Sequence, residues 1–401
     1  MPKFTVISIC REGWIFLLIL GFLIASALLR NVNLLILMSG MMIGPFLIHW
    51  WIVTWALRQI EIERRFPKGV CANDLLVVDL TVHNRRQRFS SWFLTIEDTI
   101  YCEHPSRPNT RQKVASIVPH LAANRSFTTS YQGRLEMPGR YRFGPLQIST
   151  RFPFGLLQRS VTLNKTETLI VYPQIGTLSR KWTTLLTSTN PSSRRTRHRK
   201  DHMEGSFYAL RDWRSGDSKR WIHWRTSAKH GELKVLEFEQ QRSQDVAIIL
   251  ELWAPKQANS HQLSIIRQAV SFTATIAENL CRHGDSDLLV TASGSEAMLA
   301  YGAGSNLLLR EIMTQLACIT HTSQDNLSVV LKQALEKSSN STQLVLISSR
   351  PVDLNDTQRF ADVWKIPQQG FRIESIICIN AASNEIDEYF QMAPKYGAEG
   401  T

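Results

Sequence analysis

The chain has 401 residues, 46 Lys and Arg against 34 Asp and Glu, and a formal net charge of +12. That length excludes a marginal single core and leaves room for two or three folded units. Six cysteines occur without a C-x-x-C pair or a His spacing that completes a zinc pattern, which argues for reduced thiols in a cytoplasmic compartment.

The N-terminal region carries two apolar runs, residues 14–29 and 34–57, separated by Arg30, Asn31, Val32 and Asn33. A membrane span needs roughly 20 apolar residues. The second run meets that length, and the first needs help from its flanks. Trp50, Trp51 and Trp55 close the second run as an interfacial belt. Residues 1–58 are therefore expected to be a transmembrane helical hairpin. Ala25-Ser26-Ala27 resembles a signal-peptide cleavage site, but the second span follows too closely for that reading. Lys3 and Arg11 precede the spans, Arg58, Arg64, Arg65 and Lys68 follow them, and the connection has Arg30 alone. This asymmetry places both ends in the cytoplasm of a bacterial inner membrane.

Residues 59–175 read as a β-sandwich-like domain. Leu75–His83 and Trp92–Ile100 are β-branched or alternating, and turn clusters separate them from further strands near Tyr141–Ile148 and Leu169–Tyr172. Residues 176–244 hold a linker and then an unusual central stretch. Within the linker, Arg194–Lys200 is a basic run with five Lys or Arg in seven positions; it is a solvated loop, a lipid-headgroup contact or a nucleic-acid contact without a sequence-reading motif. From residue 245 the pattern becomes α/β. Apolar strands at Val246–Leu250, Leu288–Thr291, Leu344–Ser348 and Ile373–Ile379 alternate with helical periods at His261–Arg282, Asn306–Ile319, Asn326–Lys337 and Leu354–Trp364. Asp325 is expected as an N-cap. This order predicts a doubly wound parallel sheet over residues 245–401.

The central stretch, Gly205 to Glu239, is dense in Arg, Asp, Trp and His. A turn at Ser215-Gly216-Asp217 folds back two arms. One carries Arg211, Asp212, Trp213 and Arg214. The other carries Arg220, Trp221, His223, Trp224 and Arg225. Arginine forks match carboxylates and stack on aromatic faces, so the set is suited to a paired polar network that fastens structure together, or to a recognition surface. His223 with Asp212 or Asp217 is a third candidate, an acid–base pair for a hydrolytic enzyme. It has no accompanying Ser or Cys nucleophile motif, nor does the chain contain a P-loop or a G-x-S-x-G elbow.

The ordered residues Gly205, Arg211, Trp213, Gly216, Asp217, Lys219, Arg220, Ile222, Trp224, Ser227, Ala228, Glu237, Phe238 and Glu239 resemble the signature of the bacterial family called domain of unknown function 58 (DUF 58). Arg134–Phe154 resembles that family's upstream G-R-Y-x-x-G-P and D-P-F-G segments, with Phe152 standing where the family has Asp. The resemblance implies a von Willebrand factor A-like C-terminal domain. It also implies genetic neighbours, a MoxR-type AAA+ ATPase and a membrane transglutaminase-like protein, and hence a non-enzymatic scaffold or adaptor. The metal-binding version of that domain has D-x-S-x-S after its first strand. Here Glu251 and Trp253 occupy that place and Arg350 follows the later strand, so no metal and no other cofactor is expected.

Overall fold

In a computed structural model of the protein, the described residues are 3–30, 33–103, 111–188, 206–214, 217, 219–239, 245–284, 286–295, 297–339, 341–356, 358–364, 370–383 and 385–392. Gly205, Gly216 and the basic run Arg194–Lys200 lie outside them. The chain divides into two compact units, residues 1–173 and 174–401.

In the first unit two helices, α1 (Arg11–Arg30) and α2 (Asn33–Ala56), pack side by side with Phe16 stacked on Phe46 at 6.2 Å. Both are long and apolar enough to cross a membrane, with mean hydropathy 2.2 and 1.7. Pro45 lies inside α2, as spanning helices tolerate. The residues before α1 form a strand, β1 (Lys3–Ile9), which the sequence reading placed in the hairpin alone. It pairs antiparallel with β9 (Leu157–Leu163). Both ends of the helical hairpin thus run directly into the same β structure.

That structure has two sheets. In the smaller, β2 (Ile60–Arg65), β4 (Leu75–Asn84) and β7 (Ser126–Arg134) pair in the order β2-β4-β7. The larger contains β1, β3 (Val70–Cys71), β5 (Ser91–Cys102), β6 (Arg111–Leu121), β8 (Gly139–Thr150), β9 and β10 (Glu167–Tyr172). Strand alternation drives the layering: the even positions Leu76, Val78, Leu80 and Val82 of β4 are buried. They meet Leu94, Ile96, Phe143, Leu146 and Ile148 from the larger sheet in one core. A buried ion pair crosses this core. Arg64 on β2 forks onto Asp98 on β5 at 2.9 and 2.7 Å, and Tyr131 on β7 donates to the same carboxylate at 2.6 Å.

The end of α2 is held by the same unit. Arg86 donates to the Trp55 carbonyl at 3.0 Å and the Ser91 hydroxyl to the Ala56 carbonyl at 2.8 Å. Arg86 is itself fixed by Asn84 at 3.0 Å and by Ser91. A cation on the last carbonyls of a helix suits its dipole.

In the second unit a five-stranded sheet runs β16-β15-β14-β17-β18. Its members are β14 (Val246–Glu251), β15 (Asp287–Ser293), β16 (Ala297–Ala303), β17 (Gln343–Ser348) and β18 (Ile377–Asn380). All pairings are parallel except that of β16, an antiparallel edge that the sequence reading missed. Central strands β14 and β17 are buried at every position, which is why they read as unbroken apolar runs. Helices α5 (Ser260–His283), α6 (Asn306–Cys318) and α7 (Leu327–Lys337) follow the expected periods. The helix expected over Leu354–Trp364 shrinks to α8 (Ala361–Trp364), and a short α9 (Gly370–Glu374) precedes β18. The segment read as a linker is partly structured in this unit. β11 (Thr177–Leu178) pairs with β19 (Phe390–Gln391), and α3 (Arg180–Ser188) buries Trp182 against Phe272 at 5.3 Å. The short strand pairing and bonds from Ser179 and Lys181 to Glu388 hold the segment there together with Trp182. A last short helix, α10 (Glu385–Tyr389), precedes β19.

Candidate functional site

The central stretch folds as a two-stranded antiparallel ribbon with a structured crossover. β12 (Ser206–Asp212) pairs with β13 (Lys234–Glu239), from Ser206 opposite Glu239 to Asp212 opposite Lys234. Between them lie a 3-10 turn, Lys219–Trp221, and α4 (Trp224–His230). Ile222 bridges to Val235, and both are buried, forming the small core of the ribbon.

Local hydrogen bonds explain the shape. Arg211 holds Asp217 through both nitrogens of its fork, each at 2.7 Å, and the Arg214 backbone N–H donates to the same carboxylate at 2.8 Å. These contacts, the Arg211 fork first, hold the Asp217 carboxyl down at about 2. His223 is the N-cap of α4: its Nδ1 accepts the Thr226 N–H at 3.3 Å and lies 2.8 Å from the Thr226 hydroxyl. Gly231 ends the helix at φ 75°, a left-handed position that suits glycine. Ser227 is buried and ties α4 to β13. Its hydroxyl donates to the His223 carbonyl at 3.0 Å and accepts the Lys234 N–H at 2.9 Å. Asp212 pairs with Lys234, which depresses the Asp212 carboxyl below the usual range.

The residues singled out from the sequence therefore converge, but not as an acid–base pair. His223, Asp212 and Asp217 take Thr226, Lys234 and Arg211 as their respective partners. The tryptophans do not form the centre of the network either. Trp213 is 37% exposed, Trp221 48% and Trp224 65%, with Arg214 and Arg225 also at the surface. Glu237 and Phe238 belong to β13, opposite Ala209 and Phe207. Sequence reasoning missed Lys234 and Thr226: the first faces Asp212 only through strand register, and the second acts only through the helix cap.

The end of the parallel sheet carries a second polar cluster. Glu251, the last residue of β14, is buried. Its carboxylate accepts Arg350 Nε at 3.0 Å and Arg350 Nη2 at 2.7 Å, and also the Ser348 hydroxyl. Arg350 also reaches Asp325 at 2.9 Å and lies 4.7 Å over the Trp253 ring. Arg359 forks onto Asp325 at 2.8 and 3.0 Å. Asp325 thus serves two arginines, while Asn326 stands at the N-cap of α7. Among the described residues no group of three His, Cys, Asp or Glu is arranged to hold a metal. With the buried carboxylate already engaged by a guanidinium, this donor set does not fit a divalent cation.

A membrane-compatible helical hairpin, a β unit and an α/β unit with a polar ribbon define a multidomain chain with an anchor-like N-terminus. Residues 209–364 match the family model described as Protein of unknown function DUF58. The chain is similar to the uncharacterized protein YeaD of Bacillus subtilis (strain 168), with 23% identity over 255 residues, or 60% of this chain. The aligned stretch spans 58% of that relative's length. Among solved structures, β-glucosidase from Listeria innocua aligns at 14% identity over 28% of this chain and 15% of its own, with a TM-score of 0.20. Three N-terminal domains of the type V pili tip protein Mfa5 from Porphyromonas gingivalis align at 11% identity over 26% of this chain and 19% of theirs, with a TM-score of 0.22. Neither structural likeness carries a functional argument.

Proposed function

We propose that this protein is a non-enzymatic adaptor, anchored in a bacterial inner membrane by α1 and α2, with its folded units in the cytoplasm. The ribbon of residues 206–239 is its recognition surface. The observation that supports this reading is the division of labour inside the ribbon. Asp212, Asp217 and His223 are engaged in local contacts that fix the shape, while Trp213, Trp221 and Trp224 stand exposed beside Arg214 and Arg225. Tryptophan and arginine dominate interface hot spots, whereas catalysis needs a reactive group held near a substrate.

We read the α/β unit as von Willebrand factor A-like, with the Arg350 guanidinium in place of the metal. The partner expected from the DUF 58 resemblance is a MoxR-type AAA+ ATPase, with a membrane transglutaminase-like protein as a further component of the same assembly. Orientation follows the positive-inside asymmetry, and the direct entry of β1 and β2 into one β unit keeps both flanks of the hairpin on one side. Binding of the full-length protein in nanodiscs to the MoxR-type ATPase of its own organism tests the proposal. Trp224→Ala and Trp213→Ala are expected to weaken binding at unchanged melting temperature. Equal binding by wild type and both variants, or no binding at all, would remove this partner assignment.

A further inference from the structure

We propose that the loop face of the β unit beside the end of α2 is a second membrane contact, an aromatic rim seated in the headgroup and interfacial zone of the bilayer. The proposal rests on the reading of α1 and α2 as membrane spans and adds a lipid surface outside them.

The rim is built from Phe89, Trp92, Phe93, Phe152 and Phe154, on the segments that enter β5 and β9. Each is tied to the last turns of α2 or to another member. The Phe89 ring lies 6.0 Å from Trp51, and Phe154 lies 5.8 Å from His49. Trp92 and Phe93 both stack on Phe152 at 6.0 Å. Phe89 is 49% exposed, Trp92 43%, Phe93 56% and Phe154 53%. Large aromatics contiguous over a surface mark an interaction site rather than an ordinary soluble face.

The backbone is bent to make this surface. At the start of β5, Trp92 and Phe93 are consecutive and both exposed, with Ser91 and Leu94 buried on either side. The change of phase falls at Phe93, whose φ of 48° is left-handed for a bulky residue. Such strain persists where the surroundings impose it and tends to mark function.

Depth identifies the occupant. α2 has 24 residues, about 36 Å of helix at 1.5 Å per residue, against roughly 30 Å of hydrocarbon. Its last turns, with Trp50, Trp51 and Trp55, therefore reach the interface, where tryptophan belts sit. The rim packs on residues 49–55 of that helix and so lies at the same level. It is held there by the Arg86 and Ser91 bonds to the helix-terminal carbonyls. Arg58, Arg85, Arg88 and Arg151 are exposed in the same segments. Arg58 stacks 4.1 Å over Trp55, and Arg85 pairs with Glu61 at 2.7 Å. Aromatic side chains ringed by arginines suit the zone between acyl chains and anionic phosphates.

The test is depth measurement by spin-label power saturation. The full chain is reconstituted into vesicles of phosphatidylethanolamine and phosphatidylglycerol. A nitroxide side chain is attached through an orthogonal handle that leaves the native cysteines in place. Labels replace Leu37 inside α2, Phe93 or Phe154 on the rim, and Leu75 at the opposite end of the ten-residue strand β4, about 30 Å away along the strand. Collisions with a water-soluble nickel chelate are expected to be several-fold fewer at 93 and 154 than at 75, with oxygen favoured as it is at 37. If 37 reports lipid while 93 and 154 are as accessible as 75, the rim is wrong and the anchor stands. If 37 is also aqueous, the anchor reading fails and the rim falls with it.

Discussion

Asp217 shows how the signature residues work. Its carboxylate meets both arms of the Arg211 fork and the Arg214 N–H at one point, so it fixes the turn that returns the chain towards β13. The folded-state value of about 2 lies below the ordinary 3.8. A group depressed in this way adds stability that is present above its unfolded value and is lost as pH falls through the folded one. Asp217→Asn is thus expected to melt below wild type near neutral pH, with the difference closing between about pH 4 and about pH 2. A difference that stays constant over that range would show that Asp217 does not act through its charge. Arg350 makes the complementary case for a built-in cation. Because its guanidinium sits on Glu251, the melting temperature of the full chain should not respond to millimolar Mg²⁺ or to EDTA. A Mg²⁺-dependent rise that disappears in Glu251→Gln would contradict that assignment.

At the scale of elements, the Arg64–Asp98–Tyr131 cluster pins the two sheets of the β unit together, since Arg64 and Tyr131 come from the small sheet and Asp98 from the large one. Both members of the ion pair are fully buried. Removing one side of such a pair typically costs about 3–5 kcal/mol, whereas replacing both with apolar groups is often near neutral. Asp98→Ala is expected to fall in that range by chemical denaturation, and Arg64→Met with Asp98→Leu should recover part of the loss, the remainder being the Tyr131 hydroxyl left without its acceptor. Equal destabilisation by the single and the double variant would mean that shape rather than charge matters there. This cluster was not legible in the sequence, because its members are 34 and 33 positions apart and only sheet pairing unites them. What was legible followed strong local periodicity: α5, α6, α7 and the buried runs of β14 and β17. The edge strand β16 and the strand β1 escaped because edge pairing leaves little pattern. The signature stretch was recognised as a unit, but its composition alone did not separate residues that hold the fold from those that face outward. Exposure of the tryptophans and the capping role of His223 are three-dimensional facts. Gly205, Gly216 and Arg194–Lys200 lie outside the described residues and stay as the sequence left them.

For the whole molecule, charge and architecture agree on one arrangement of roles. Residues 1–179 carry a net balance of +10 and residues 243–401 a balance of −6. A basic β unit continuous with two apolar helices suits an anionic membrane surface. The ribbon, within residues 174–401, leaves Trp213, Trp221 and Trp224 exposed. On the proposed function, the ribbon recognises a partner and does no chemistry. Complementation of a deletion strain by chromosomal point variants tests it most directly, with protein level and membrane fraction monitored alongside. His223→Gln, which keeps a hydrogen-bonding cap but removes an imidazole base, is expected to complement like wild type, while Trp213→Ala combined with Trp224→Ala is expected to fail. An enzyme relying on His223 would lose about 100- to 10,000-fold in rate, so a stable, membrane-bound His223→Gln protein that fails to complement, beside a tryptophan variant that succeeds, would overturn the adaptor reading.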